Sequence, residues 1–400
     1  MQNNTARLRL LVVILAFGVF GIINTEMGVV GIIPQIAERF GVTVPEAGAT
    51  VSVFALVVSI AAPVMPMLLS SVNRRRMMLA ALGLFAASNI IAMTTESFWL
   101  LLVSRALPAV LHPVYVAAAF TLAAESERAA GGDPSRGISR VFVGVSAGMV
   151  LGVPMTNFIT AHVSYEAAMA VFAVVNLSVM AATLLLVPHD LPVQKKTIGE
   201  QLRVLRRPAL WLAVLGFTCI NGAMFGFFSF MSEFLARISG LATDAVSAAL
   251  LVYGVANIAG NMAAGRWFGA RRRFWTLTGP AAMLAAYAAL GLTGSSPAAA
   301  FVIIGVLGVM AGFINIVGQY MISTAARGAE DFANGLFLAA ANFGTAFGTY
   351  LDGRLISAAG TTAALYGTAI LLAAAFILVI GRVRTQVEGE YLQPRERARA

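Results

Sequence analysis

Predominantly apolar runs of about 18 residues or more recur from one end of this chain to the other, and no other feature restricts its fold so severely. They fall at approximately 8–33, 47–70, 77–95, 98–120, 141–163, 166–187, 209–235, 245–268, 275–293, 298–322, 333–357 and 361–381. Each is long enough to cross the roughly 30 Å hydrocarbon layer of a bilayer as a helix. Inside hydrocarbon every backbone N–H and C=O needs a partner within the protein. Closed barrels meet that need with short alternating strands, so long continuous runs leave helices as the spanning solution. An all-α membrane protein with twelve transmembrane helices is expected. Only 11% of the 400 residues are charged and the mean hydropathy is +0.84, which excludes an ordinary soluble domain with about a quarter of its residues charged.

The first segment, MQNNTARLRLLVVILAFGVF, places basic residues before an apolar run as a secretory signal would. It lacks an A-x-A-like cleavage site and runs on too far, so it reads as a retained first helix. Lys and Arg are distributed unevenly between the spans. With the N-terminus in the cytoplasm, the outer loops hold only Arg39, Arg237 and Arg354, Arg105 lies inside the fourth span, and the remaining basic residues face the cytoplasm. Positive loops stay cytoplasmic, so both termini are expected there. The net charge of +9 follows from these loops and the tail, and no nucleic-acid partner is needed to explain it.

The longest internal connection, VPHDLPVQKKTIGEQLRVLRRP, is polar, basic and close to the midpoint. It divides the chain into a six-helix bundle at 1–187, a cytoplasmic linker at 188–208, a second six-helix bundle at 209–381 and a cytoplasmic tail at 382–400. The triplets Arg74, Arg75 and Arg76 in NRRRMM and Arg271, Arg272 and Arg273 in ARRRFW hold equivalent places in the two halves, as in a duplicated, pseudo-symmetric transporter. Cys219 has no second cysteine to pair with, and no His cluster, phosphate loop or catalytic dyad is evident. No metal site, cofactor or enzyme activity is expected.

Two charges inside the spans ask for an explanation. Glu26, in INTEMGVVGIIP, lies seven residues before Ile33, and Arg105 lies seven residues after Phe98 on a helix of opposite direction. At about 1.5 Å per residue both sit about 10 Å below the outer surface. Buried charges in spans face the bundle interior and pair, so Glu26 and Arg105 are expected to act on each other, either as a structural ion pair or as a proton site under electrostatic control. Burial favours the neutral acid and a nearby cation favours the carboxylate, so of the two Glu26 is the better proton carrier and Arg105 the regulator. His112, almost two turns beyond Arg105, shares its face and can relay protons or simply pack.

The second half offers neutral polar groups. Tyr253, Asn257 and Asn261 form a stripe on span eight, Asn315 and Gln319 a pair on span ten, and Asn221 and Asn342 lie in spans seven and eleven. Phe225 and Phe228 follow Asn221 as an aromatic wall. With Asn24, Thr25 and Tyr115 from the first half, these residues other than Asn261 are the expected solute contacts, although interhelical hydrogen bonding alone explains several of them. Such a lining suits an uncharged solute better than a strong anion. Glu233 stands near the outer end of span seven, where a solvated carboxylate is the expectation. Gly144, Gly148 and Gly152 repeat every four residues before Pro154, giving a groove for a neighbouring helix and an invitation to kink.

These elements together resemble the major facilitator superfamily. NTEMGVVGIIPQIAERFGVTVPEAG is similar to the T-E-F…G-L-L-P-x-I-A opening of the sugar-efflux and chloramphenicol-exporter-like members of its drug:proton antiporter-1 branch. LLVSRALPAVLHPVYVAAAF resembles that group's fourth span, GVSAGMVLGVP its antiporter motif, and FSFMSEFLARISGLA its end of span seven. The loop motif G-x-L-a-D-R-x-G-R is altered: PMLLSSVNRRRMM begins at Pro66 and has Asn73 near the acidic position, and its copy GNMAAGRWFGARRRF keeps Gly260 and Gly265 without the acid. The resemblance implies proton-coupled efflux of a small uncharged or amphipathic solute, such as a sugar, nucleoside or phenicol-type drug, by alternating access in the bacterial inner membrane. It implies Glu26, Arg105 and His112 for proton coupling, and Gly144, Gly148, Gly152, Pro154 and the triplet Arg74 to Arg76 for conformational change. Solute, protons and lipid are the partners of a monomer. A facilitator or symporter with Glu26 and Arg105 structural is the alternative.

Overall fold

A computed structural model describes residues 2–69, 72–131, 134–187, 203–327 and 329–397. The linker expected at 188–208 lies mostly outside them. Twelve long helices run through the described residues, which contain no strand. In the first half these are α1 (Gln2–Gly28), α2 (Ala49–Leu68), α3 (Arg74–Thr94), α4 (Phe98–Ala129), α5 (Pro134–His162) and α6 (Tyr165–Leu186). In the second half they are α7 (Pro208–Ser229), α8 (Thr243–Trp267), α9 (Arg272–Thr293), α10 (Pro297–Ala325), α11 (Glu330–Ala359) and α12 (Ala364–Arg397). Among the described residues, eleven segments are long and apolar enough to cross a membrane. α11 is not among them, its apolar run being broken by Asn342, Thr345, Thr349, Asp352 and Arg354.

Local chemistry sets the helix ends. Ser97 and Ser164 accept hydrogen bonds from the first-turn amides of Leu100 and Ala167 at 3.4 and 3.1 Å, satisfying donors that have no partner inside the helix. Asn73, where the resembling loop motif carries an acid, does the same for α3 by accepting from Arg76 N–H at 3.2 Å. The acidic partners of this arginine-rich end come from α4 instead. Arg74 reaches both oxygens of Glu125 at 3.0 Å, Arg140 pairs with Glu127, and the buried Arg75 donates to the Leu184 carbonyl.

The two halves are packed by the same rule. α1 lies on α5, α2 on α4 and α3 on α6; correspondingly α7 lies on α11, α8 on α10 and α9 on α12. Across the middle, α2 meets α11 and α5 meets α8. With lipid tails as apolar as leucine, helices associate through close contact, which small residues permit. Gly144, Gly148 and Gly152 on α5 face Ala16, Ile23 and Asn24 on α1, while Gly344 and Gly348 on α11 face Thr218 and Gly222 on α7.

At the end opposite the arginines the halves interlock. Phe230, fully buried, fits between Gly48 and Gly353. Asn157 on α5 donates to the Gly31 carbonyl at 2.7 Å and accepts from Ser247 on α8 at 2.6 Å. His162 stands 3.2 Å from Asp244 just beyond. Replacing Ser247 with Ala leaves the Asn157 carbonyl oxygen unsatisfied, at about 1–3 kcal/mol. Spin-label distances across α5 and α8 should therefore broaden toward an open population in that variant; an unchanged distribution would remove Ser247 from the interlock.

Candidate functional site: a carboxylate, an imidazole and a guanidinium

Glu26 lies in the last turn of α1, immediately before the chain tightens into a 3-10 turn at Val29–Ile32 and continues as a short helix, Ile33–Phe40. Where helix register changes, carbonyls of the last α-turn become available to outside donors. Arg105 takes that position. From α4 its guanidinium donates to the Thr25 carbonyl at 2.9 Å and the Glu26 carbonyl at 3.3 Å, with a longer reach of 3.5 Å to the Thr50 carbonyl on α2. It lies over the Phe54 ring, 4.8 Å from the centroid.

The expected side-chain pairing of Glu26 with Arg105 is thus corrected: the guanidinium holds backbone, and the carboxylate finds a different partner. His112 Nε2 stands 3.1 Å from Glu26 Oε2. Glu26, Arg105 and His112 are 9%, 3% and 2% exposed, so an unpaired charge among them would be costly. Phe54 and Phe85 fix the imidazole, their rings 5.8 and 6.4 Å from it. Sequence reasoning placed His112 on the correct face through its spacing from Arg105. It missed the two phenylalanines, because a Phe in an apolar run carries no directional signal.

The other first-half residues are turned inward to packing. The Thr25 hydroxyl donates to Gly21 O at 2.9 Å and accepts from Asn176 and Asn89 at 3.1 and 3.4 Å, which occupies it fully. Asn24 is buried against Gly152 with both amide atoms unpartnered, and Tyr115 is buried against Gly18 with its hydroxyl unpartnered. In the second half, Asn221 donates to the Ala341 carbonyl and to Thr345 at 3.0 Å, and Asn342 to Leu338 O at 3.1 Å. Asn261 donates to Asn257 at 3.1 Å within α8. Phe228 stacks on Tyr253 at 4.7 Å and meets Phe225 edge-on at 5.9 Å, joining α7 to α8. Phe225, Asn257, Asn315 and Gln319 are half-buried, leaving surface for a solute. Glu233 is a correction. It is buried on the short helix Met231–Arg237 and paired with Arg237 at 2.6 Å.

The sequence matches the Major Facilitator Superfamily model over residues 15–303 and again over 231–399. The chain belongs to the Major Facilitator Superfamily. It is 31% identical over 91% of its length to the uncharacterized MFS-type transporter YtbD of Bacillus subtilis (strain 168), covering 93% of that protein. It is 28% identical to the chloramphenicol resistance protein of Streptomyces lividans, over 91% of this chain and 94% of that one. The nucleoside transporter NupG superposes with a TM-score of 0.75 at 15% identity, over 94% of this chain and 99% of that one. As a superfamily member this chain is a multi-pass membrane transporter of small solutes and not an enzyme.

Proposed function

We propose that this transporter exports a small uncharged or amphipathic solute from the bacterial cytoplasm in exchange for external protons, working as a monomer in the inner membrane with both termini cytoplasmic. The observation that carries the reading is the buried Glu26 and His112 pair, 3.1 Å apart. Two titratable groups face each other where a purely structural core would place apolar contacts. Glu26 is the carrier. His112 faces it at 3.1 Å, and Arg105 fixes the α1 backbone beneath it. The bundles at 1–187 and 209–381, joined in sequence by the linker at 188–208, rock about a central site, and the half-buried Phe225, Asn257, Asn315 and Gln319 contribute solute contacts. Asn24, Thr25 and Tyr115 position α1 rather than touch solute. The relative named for chloramphenicol resistance and the fold shared with a nucleoside transporter support a solute of that size.

Thermal-shift screening with chloramphenicol, nucleosides and sugars identifies a ligand by the stability it adds to the folded state. Proteoliposomes given an inward proton gradient should then export it, and Glu26→Gln should exchange solute at equilibrium without being driven by the gradient. Full gradient-driven export by Glu26→Gln would end the assignment. Gradient-independent exchange by the unaltered protein would mean a facilitator.

A further inference from the structure

Asp352 is fully buried in α11, and neither of its carboxylate oxygens has a hydrogen-bond partner. An isolated buried carboxylate is among the costliest groups a membrane protein can hold, so its surroundings bear on its purpose. On α5 the small-residue ladder has three rungs, Gly144, Gly148 and Gly152, packed on α1. On α11 the equivalent ladder packs on α7 and reads Gly344, Gly348 and then Asp352. Where repeat symmetry calls for a third glycine, the chain has an acid.

Space has been cleared for that acid. A Cβ at Gly226 on α7 would lie 2.8 Å from Asp352 Oδ2, and one at Gly367 on α12 would fall inside 3.0 Å of Oδ1. Two further glycines therefore form a cradle fitted to the carboxyl, which packing by itself would not require. Few other charges reach it. Tyr287 on α9 is the phenol within electrostatic reach. Tyr350 and Arg354 on α11 itself are exposed. α2 carries no titratable residue, α7 and α12 present glycine, and α10 holds only Tyr320, near its opposite end. On the short helix Val44–Ala47, Glu46 accepts from its own cap residue Thr43 at 2.8 Å.

The position is also coupled to the interlock. Gly353, the next residue, has the Phe230 ring and Pro45 about its Cα, so this turn of α11 forms part of the contact between the halves. It lies seven residues before the end of α11, about 10 Å deep at 1.5 Å per residue, the depth of Glu26 in the other half. Withdrawal of Phe230 and Pro45 from Gly353 would loosen this turn of α11 and expose the cradle to the outer solution.

We propose that Asp352 is a second proton-binding site, in the second half of the transporter, which holds its proton while the outer end is closed and exchanges it with the outer solution when that end opens. The inference rests on the proton-coupled reading above and adds a carboxyl that reading does not use. The test uses the reconstituted full chain. Infrared spectra recorded against pH in H2O and D2O should contain a carboxylic-acid C=O band that is kept in Glu26→Gln and lost in Asp352→Asn. Asp352→Gly, which restores the α5 pattern, should lose it as well and provides a second folded variant. Spin labels at Glu38 and Ala358, with Cys219 replaced by serine, should move apart as pH rises in the parent and in Glu26→Gln, and should not respond in Asp352→Asn. A band absent from both the parent and Glu26→Gln, or one unchanged in Asp352→Asn, overturns the site, as does an unaltered pH response of the label distance. Because the Glu26→Gln transport assay reads a different carboxyl, either proposal can fail alone.

Discussion

Alanine at Gly348 or Gly144 should leave little folded, monodisperse transporter in detergent, whereas alanine at Gly83 or Gly269 should leave yield and thermal stability at the parent level. At Gly144 an added Cβ falls inside 3.0 Å of the Ala16 carbonyl oxygen, and at Gly348 inside 3.0 Å of the Gly222 carbonyl oxygen. Both obstacles are backbone, which no rotamer change can move aside. The paired helices must part, and contact is lost along the whole of α1 on α5 or α7 on α11. Overpacking a core costs about 1–3 kcal/mol, occasionally more, and here lipid offers no hydrophobic drive to restore the contact. Gly83 meets only Met180 Sδ at 3.8 Å, and Gly269 meets nothing within 4 Å; in α3 the change even removes glycine's helix penalty of about 1 kcal/mol. Size-exclusion profiles and thermal unfolding decide the matter, and equal behaviour of the two pairs would refute the close-packing account of the ladders.

That result would also separate what this sequence discloses from what it conceals. Apolar run length fixed the number and approximate bounds of the spans, because hydrocarbon thickness is a hard constraint. Spacing put His112 on the face of Arg105, since residues seven apart lie nearly two full turns along a helix. Rotation about a helix axis and local register are a different kind of information. Nothing in INTEMGVVGIIP announces the change from α to 3-10 geometry at Val29, and without it Arg105 has no reason to prefer backbone over the Glu26 carboxylate. Thr25 illustrates the same limit: its two amide donors come from α3 and α6, positions remote in sequence. Asp352 escaped notice although the span at 333–357 contains it, because Arg354, two residues on, counts with the outer loops and marks this end of the span as polar. Comparison of GVSAGMVLGVP with NFGTAFGTYLDG at four-residue spacing was the signal that could have found it.

Under the proposed proton exchange, Arg105→Lys should fold and yet lose gradient-driven export by about tenfold or more, and Arg105→Ala should fall further and unfold at lower temperature. A lysine keeps the positive charge near Glu26 but concentrates its donors at one point, while the guanidinium spreads its N–H groups over the carbonyls of Thr25, Glu26 and Thr50 and lies on Phe54. An ammonium that satisfies one carbonyl abandons another, and a hydrogen bond to a charged group contributes about 1.5–3 kcal/mol. At about 1.4 kcal/mol per factor of ten, a single lost bond is enough to misplace the turn that aims the carboxylate at His112. Alanine leaves all three carbonyls without this donor and removes the cation as well, so stability drops with activity. Lysine therefore separates two roles that alanine confounds. If Arg105 works through its charge alone, Arg105→Lys exports at the parent rate. If it works by holding the last turn of α1 in place, export collapses while the thermal midpoint stays above that of the alanine variant, and the infrared band of the Glu26 carboxyl shifts because its distance to His112 has changed.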